Sequence, residues 1–167
     1  MKRFAAIILV LTAVHFPYGD ACAQTMTEVQ NLDFGTFGLR DNDAGHTIVV
    51  EPDGDVTYAP EIVPGMSVAQ RGEYALTGFP ANMLLTFGVA SSTPPDDGGI
   101  IVDNGTSLST GSGEVFTVDT YTTNSPTTDG SGDATLYLGA TLTTSGSTTM
   151  YGDGLHSGNV DITIYFE

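Results

Sequence analysis

No stretch of this chain beyond residue 24 keeps a helical period for three turns. What it keeps is alternation. Apolar and polar residues take turns in short runs, and clusters of Gly, Pro, Asn and Asp separate the runs. Successive side chains on a strand point to opposite faces, so a period of two marks a ribbon with one dry face and one wet face. Threonine, serine and glycine dominate beyond residue 24, and β-branched residues favour strands while glycine marks turns. A chain of this kind is restricted to antiparallel sheets packed on one another. The spacing predicts an all-β sandwich of about eight or nine strands.

The individual runs are readable. "NLDFGTF" (31–37) is the first predicted strand. "HTIVV" (46–50) and "DVTYA" (55–59) face each other across Pro52-Asp53-Gly54 and predict a hairpin. "GEYALTG" (72–78) alternates. "NMLLTFGV" (82–89) is nearly all apolar and is expected to be a central strand. "GIIVD" (99–103) runs into Asn104-Gly105, a dipeptide suited to a two-residue hairpin turn. "EVFTVDTYTT" (114–123) and "ATLYLGATLTT" (134–144) alternate over longer spans, with Gly139 as the expected bulge. "SSTPPDDGG" (91–99) and "TTNSPTTDGSGD" (122–133) read as long surface loops.

The first residues predict a compartment. Lys2 and Arg3 precede an apolar run from Phe4 to about Phe16, and then comes Ala21-Cys22-Ala23. This is the layout of a secretory signal peptide, residues 1–23, cleaved after Ala23. The run is shorter than the roughly 20 residues that span a bilayer. The remainder, 24–167, is expected to be a single sandwich domain outside the cytoplasm, in the periplasm or at the cell surface of a bacterium. Loss of Lys2, Arg3 and Asp20 takes the net charge from −16 to −17 and leaves Arg40 and Arg71 as the basic residues. Such a surface repels nucleic acid and anionic lipid. Cys22 goes with the leader, so the exported domain has no disulfide to lean on.

Catalytic signatures are missing. The chain has no G-x-S-x-G, no phosphate-binding loop, no H-E-x-x-H and no dinucleotide fingerprint. His46 and His156 each read as isolated residues. Thiol and Schiff-base nucleophiles are excluded once Cys22 and Lys2 are removed. Asp96-Asp97 sits in a Pro/Gly-rich loop with nothing to bury it, so neither carboxyl has a reason to become an acid catalyst. No cofactor is expected. The one metal the spacing suggests is calcium, at Asp129 and Asp133 of "DGSGD", because hard oxygen ligands recur there at short intervals. "DNDAG" (41–45) and "DGD" (53–55) have similar spacing but complete no calcium loop. Asn104-Gly105-Thr106 is formally a glycosylation acceptor and is read as a turn.

The last residues carry the strongest expectation. In "SGNVDITIYFE", Val160, Ile162, Ile164 and Phe166 alternate with polar partners. Buried together, four such side chains contribute about 6–12 kcal/mol, an upper estimate comparable to a domain's whole net stability. The terminal strand is therefore expected to be core material with its backbone paired on at least one side.

"LDFG" (32–35), "YALTGFP" (74–80) and "LGATLTT" (138–144), leading to "SGNVDITIYF" (157–166), resemble the bacterial family known as domain of unknown function 4402. The resemblance runs through nearly the whole exported chain. It implies an immunoglobulin-like antiparallel β-sandwich and a small secreted protein without an established activity. The closing strand is also similar to that of chaperone–usher pilins, in which an alternating last strand with a penultimate aromatic, here Phe166, is gripped by a periplasmic chaperone. That similarity implies strand exchange between subunits, with Val160, Ile162, Ile164 and Phe166 on the receiving side and an N-terminal strand around Leu32 and Phe34. Glu28 and Gln30 interrupt the apolar phase of the N-terminal segment as a donor. The expected function is a non-enzymatic structural subunit, pilin-like or adhesin-like, that associates with itself or with a periplasmic chaperone through edge strands. The alternative is a secreted binding module for carbohydrate or calcium, with Tyr58, Tyr121 and Tyr151 as its aromatic platforms.

Overall fold

The structure, a computed structural model, describes residues 23–89, 106–108, 114, 116–156 and 162–166. Every regular element among them is a strand. In chain order they are β1 (Thr25–Gln30), β2 (Phe37–Leu39), β3 (Thr47–Val50), β4 (Val56–Tyr58), β5 (Ile62–Pro64), β6 (Gly72–Thr77), β7 (Leu85–Val89), β8 (Thr106–Leu108), β9 (Phe116–Thr123), β10 (Ala134–Thr143) and β11 (Ile162–Phe166). All pairings between them are antiparallel. The large sheet holds β1, β6, β10, β3 and β4, with β9 and β8 branching from β10. Two small sheets, β2–β5 and β7–β11, are the others among the described residues. No described helix is long and apolar enough to cross a membrane.

The strand β10 organises the large sheet. Its alternation puts Leu136, Leu138, Ala140 and Leu142 on one face, and all four are buried. Along one edge it pairs with β6 as far as Leu138↔Gly72 and then with β3 from Ala140↔Val50. The other edge pairs with β9. The change of partner falls on Gly139. A Cβ there would collide with the Val50 carbonyl oxygen and lie 2.9 Å from Thr122 Oγ1, so only glycine lets the three backbones meet.

The bulge expected at Gly139 sits on its neighbour instead. Between the pairs Gly139↔Thr122 and Thr141↔Asp119, two steps on β10 match three on β9. Thr120 takes up the extra residue with a left-handed φ of 49°. The inward phase of β9 shifts there, from Phe116 and Val118 to Tyr121, all three buried. Beyond β9, the Asn124 side chain continues the ladder. Its Nδ2 donates to Thr135 O and its Oδ1 accepts from Tyr137 N.

Two apolar clusters result. The larger joins Ile48, Val50, Phe116, Val118, Tyr121, Leu138, Ala140 and Leu142 of the large sheet to Phe34, Ile62 and Ala69. The smaller joins Leu76 and Leu136 to Phe79, Leu85 and Phe87. Leu76, Leu85, Phe87 and Leu136 are fully buried, each contributing about 1.5–3 kcal/mol.

The hairpin expected over 46–59 is present as β3–β4, closed by Glu51 N–H to Asp55 O. Two other expectations change. The first strand is not 31–37. It is β1, and 31–36 is irregular apart from a bridge between Asp33 and Gln70. Gly35 has φ of 70° and its N–H is taken by the Asp33 carboxylate, which stops a strand at that point. The apolar segment 82–89 is not central to the large sheet. Its β7 pairs with β11, and its other side has a single bridge, Leu84↔Thr127. The predicted strand 99–103 and its turn lie outside the described residues.

Candidate functional site

A groove of about 880 Å³ runs between residues 31–39 and the 150–156 loop. The inward faces of β9 and β10 give it Val118, Leu138 and Leu142. Phe116, at the start of β9, anchors an aromatic wall. Tyr151 stacks on it at 3.9 Å with an interplanar angle of 4°. His156 meets it edge-on at 4.8 Å, and Phe37 does so at 5.5 Å. The Tyr151 hydroxyl accepts the Ser145 N–H at 2.6 Å, which fixes the ring's direction. Glu114, just before β9, is held below the ordinary carboxylate range by the Ser145 hydroxyl first and the Ser147 hydroxyl second. Met150 and Leu155 stand exposed beside the groove. Among the described residues, His156 Nδ1 is buried without a hydrogen-bond partner.

The residues singled out in the sequence fall in separate places. Leu32 and Phe34 line the groove, Phe34 buried and Leu32 half-buried against the larger cluster. Ile162 and Ile164 lie on β11, half-buried; Ile162 packs on both clusters and Ile164 on the smaller one. Phe166 ends β11 opposite Leu85. Val160 lies outside the described residues. Asp129 and Asp133 share a tight loop in which Asp129 Oδ1 accepts the N–H groups of Ser131 at 2.8 Å and Asp133 at 3.0 Å. Those bonds, Asp133's foremost, hold the Asp129 carboxyl below its ordinary range, so this oxygen is occupied by the turn. Of the proposed sugar platforms, Tyr121 is buried, whereas Tyr58 and Tyr151 are half-exposed.

His46 is not the isolated residue its sequence context implied. Its side chain is 10% exposed, and three carboxylates surround it. Nε2 lies 2.9 Å from Asp41 Oδ1 and 3.9 Å from Asp43 Oδ1, while Nδ1 lies 3.5 Å from Glu61 Oε2. The hydrogen bond from His46 holds the Asp41 carboxyl below its ordinary range. The loop carrying the aspartates is pinned from within. Buried Asn42 donates to Ser145 Oγ and Thr149 O and accepts from Gly146 N. The His46 N–H donates to Thr144 Oγ1. Glu61 arrives because the β2–β5 ladder runs one step further, through Arg40 N–H to Glu61 O.

A model of the family described as domain of unknown function (DUF4402) matches residues 25–166, the span from β1 to the end of β11. The chain belongs to this family. No curated protein and no solved structure matches this DUF4402 chain.

Sequence reasoning missed two features of the DUF4402 protein. The Phe116–Tyr151–His156 wall joins residues about 40 positions apart, and only the turn from Ser145 to Tyr151 brings them together. The spacing of Asp41, Asp43 and His46 was visible, but the approach of Glu61 depends on a register between two three-residue strands that no alternation announces.

Proposed function

We propose that this DUF4402 protein is an exported, non-enzymatic structural subunit of a bacterial surface, pilin-like or adhesin-like, with an immunoglobulin-like sandwich that associates through its terminal strands. The observation that carries the reading is that, in the described part of the fold, the first and last strands are both edges. Among the described residues β1 pairs with β6 alone, and β11 with β7 alone. An unpaired strand edge is a row of N–H and C=O groups ready to template another strand. Strand addition then draws affinity from the backbone and specificity from alternate side chains, and β11 presents such an alternation in Ile162 and Ile164. A cleaved leader would deliver the protein to the periplasm or the surface, where a chaperone shielding β11 would keep the edge from premature pairing. The absence of catalytic motifs in the sequence supports a non-enzymatic role.

Negative-stain microscopy and size-exclusion chromatography of the purified protein test this. The expected result is filaments or oligomers that resist SDS and vanish when β11 carries Ile164→Lys. A compact monomer at every concentration, with no ladder, rejects the reading.

One observation favours a second reading, a carbohydrate-binding module: the groove has an aromatic wall and exposed apolar residues beside it. Aromatic faces are the usual platforms for sugar rings. A glycan panel that leaves the melting temperature unchanged removes it.

A further inference from the structure

We propose that Asp41, Asp43 and His46 bind a divalent transition-metal ion, zinc foremost, with Glu61 orienting the histidine. Such a site would function however the protein associates. The three side chains bring one ligand atom each within 4.8 Å of one another. A tetrahedral ion with bonds of about 2.1 Å holds its donors about 3.4 Å apart. The two separations from His46 Nε2, 2.9 and 3.9 Å, fall on either side of that value, so small rotations of two exposed carboxylates complete the set.

Three features separate this group from an ordinary acidic patch. The first is the nitrogen donor: its side chain is nine-tenths buried while its Nε2 faces both aspartates. Second, the remaining ring nitrogen, Nδ1, faces Glu61 on a different segment of chain at 3.5 Å. Without metal, Nε2–H donates to Asp41; an ion on Nε2 takes the place of that proton, and Glu61, facing Nδ1, is placed to take the far N–H, the arrangement that metal-ligating histidines commonly have. Third, the charge is unbalanced. Three carboxylates face one imidazole, an excess of at least two negative charges even with the ring protonated, and every ion pair among the described residues is one of these three. A divalent cation balances that excess. The mixed nitrogen and oxygen donors suit zinc and its neighbours better than calcium, which takes oxygen ligands. Asp43 is 75% exposed and Asp41 49%, which leaves the outer coordination position to water. Asn42 between them is anchored on both sides, so the loop loses little conformational entropy on binding.

The experiment is thermal unfolding of the purified protein with zinc chloride alone, with calcium chloride in parallel, on the wild type, Asp43→Asn and His46→Gln. Zinc at 100 times its Kd is expected to raise Tm by roughly 5–10 °C, and calcium at the same concentration is expected to leave it unchanged. Asp43→Asn is the decisive variant. At 3.9 Å from the ring Asp43 makes no short bond to His46, so its replacement leaves the metal-free Tm in place while abolishing the zinc shift. Nitrogen NMR of the histidines adds a readout that stability alone does not move: Nε2 of His46 shifts on titration, and His156 does not. No zinc shift in the wild type overturns the proposal. So does an equal shift in Asp43→Asn, which would put the ion elsewhere on the acidic surface, and so does an equal response to calcium.

Discussion

The two terminal strands of the described fold are both edges, yet they are held in opposite ways. β1 is attached by backbone. It pairs with β6 from Thr25↔Thr77 to Gln30↔Glu73, with a register shift between Glu28 and Gln30. Its side chains are exposed almost throughout, Val29 at 62%. β11 is attached by side chains as well. Ile162 reaches both apolar clusters and Ile164 the smaller one, over the fully buried Leu85 and Phe87 of β7. The difference teaches that an edge strand's availability to a partner depends on what its side chains bury, more than on how many ladder bonds it makes. β1 can leave at little apolar cost. β11 is held by side chains and, among the described residues, has β7 as its one strand neighbour.

The largest way to break this contrast is to remove β11. Deleting 162–166 strips the cover from Leu85 and Phe87, and we expect a loss of about 3–5 kcal/mol, read as a fall in urea midpoint or in Tm by tens of degrees. Deleting Thr25–Gln30 should cost far less, about 1 kcal/mol, because β1 buries little beyond the β6 edge. Equal losses from the two truncations would erase the distinction. The smallest effect sharpens it. Tyr74 of β6 has its hydroxyl pKa raised, first by burial and then by the nearby Glu28 of β1. A tyrosine with a raised folded pKa contributes stability that is complete below its unfolded value near 10 and is lost as pH rises through the folded value. Replacing Glu28 by Gln should therefore lower the Tyr74 titration followed by tyrosinate absorbance, but leave it above the ordinary value because burial remains. A return to the ordinary value would mean that β1, and not the core, sets this tyrosine's environment.

Much of the sheet was legible because alternation reports burial directly. β6, β9 and β10 stand where their alternating residues place them, and Pro52-Asp53-Gly54 marks the β3–β4 turn. Legibility ends where burial and strand pairing part company. Leu32 and Phe34 alternate like a strand, but they turn into the groove from irregular chain, while the polar Thr25–Gln30 pairs because an edge asks little more than backbone. β2 and β5 are too short for periodicity to register. The approach of Glu61 to His46 was invisible for the same reason, since that short ladder delivers it. The bulge was misplaced because glycine marks β10 as the weak strand, while Thr120 accommodates the extra residue on β9.

The path of β10 has one more consequence. Leu136 belongs to the smaller cluster and Leu138, Ala140 and Leu142 to the larger, so a single strand carries side chains into both. Neither cluster can dissolve and spare its neighbour, because loosening one pulls the shared ribbon out of the other. Two modest hydrophobic centres are thereby tied to one ribbon and are expected to unfold together.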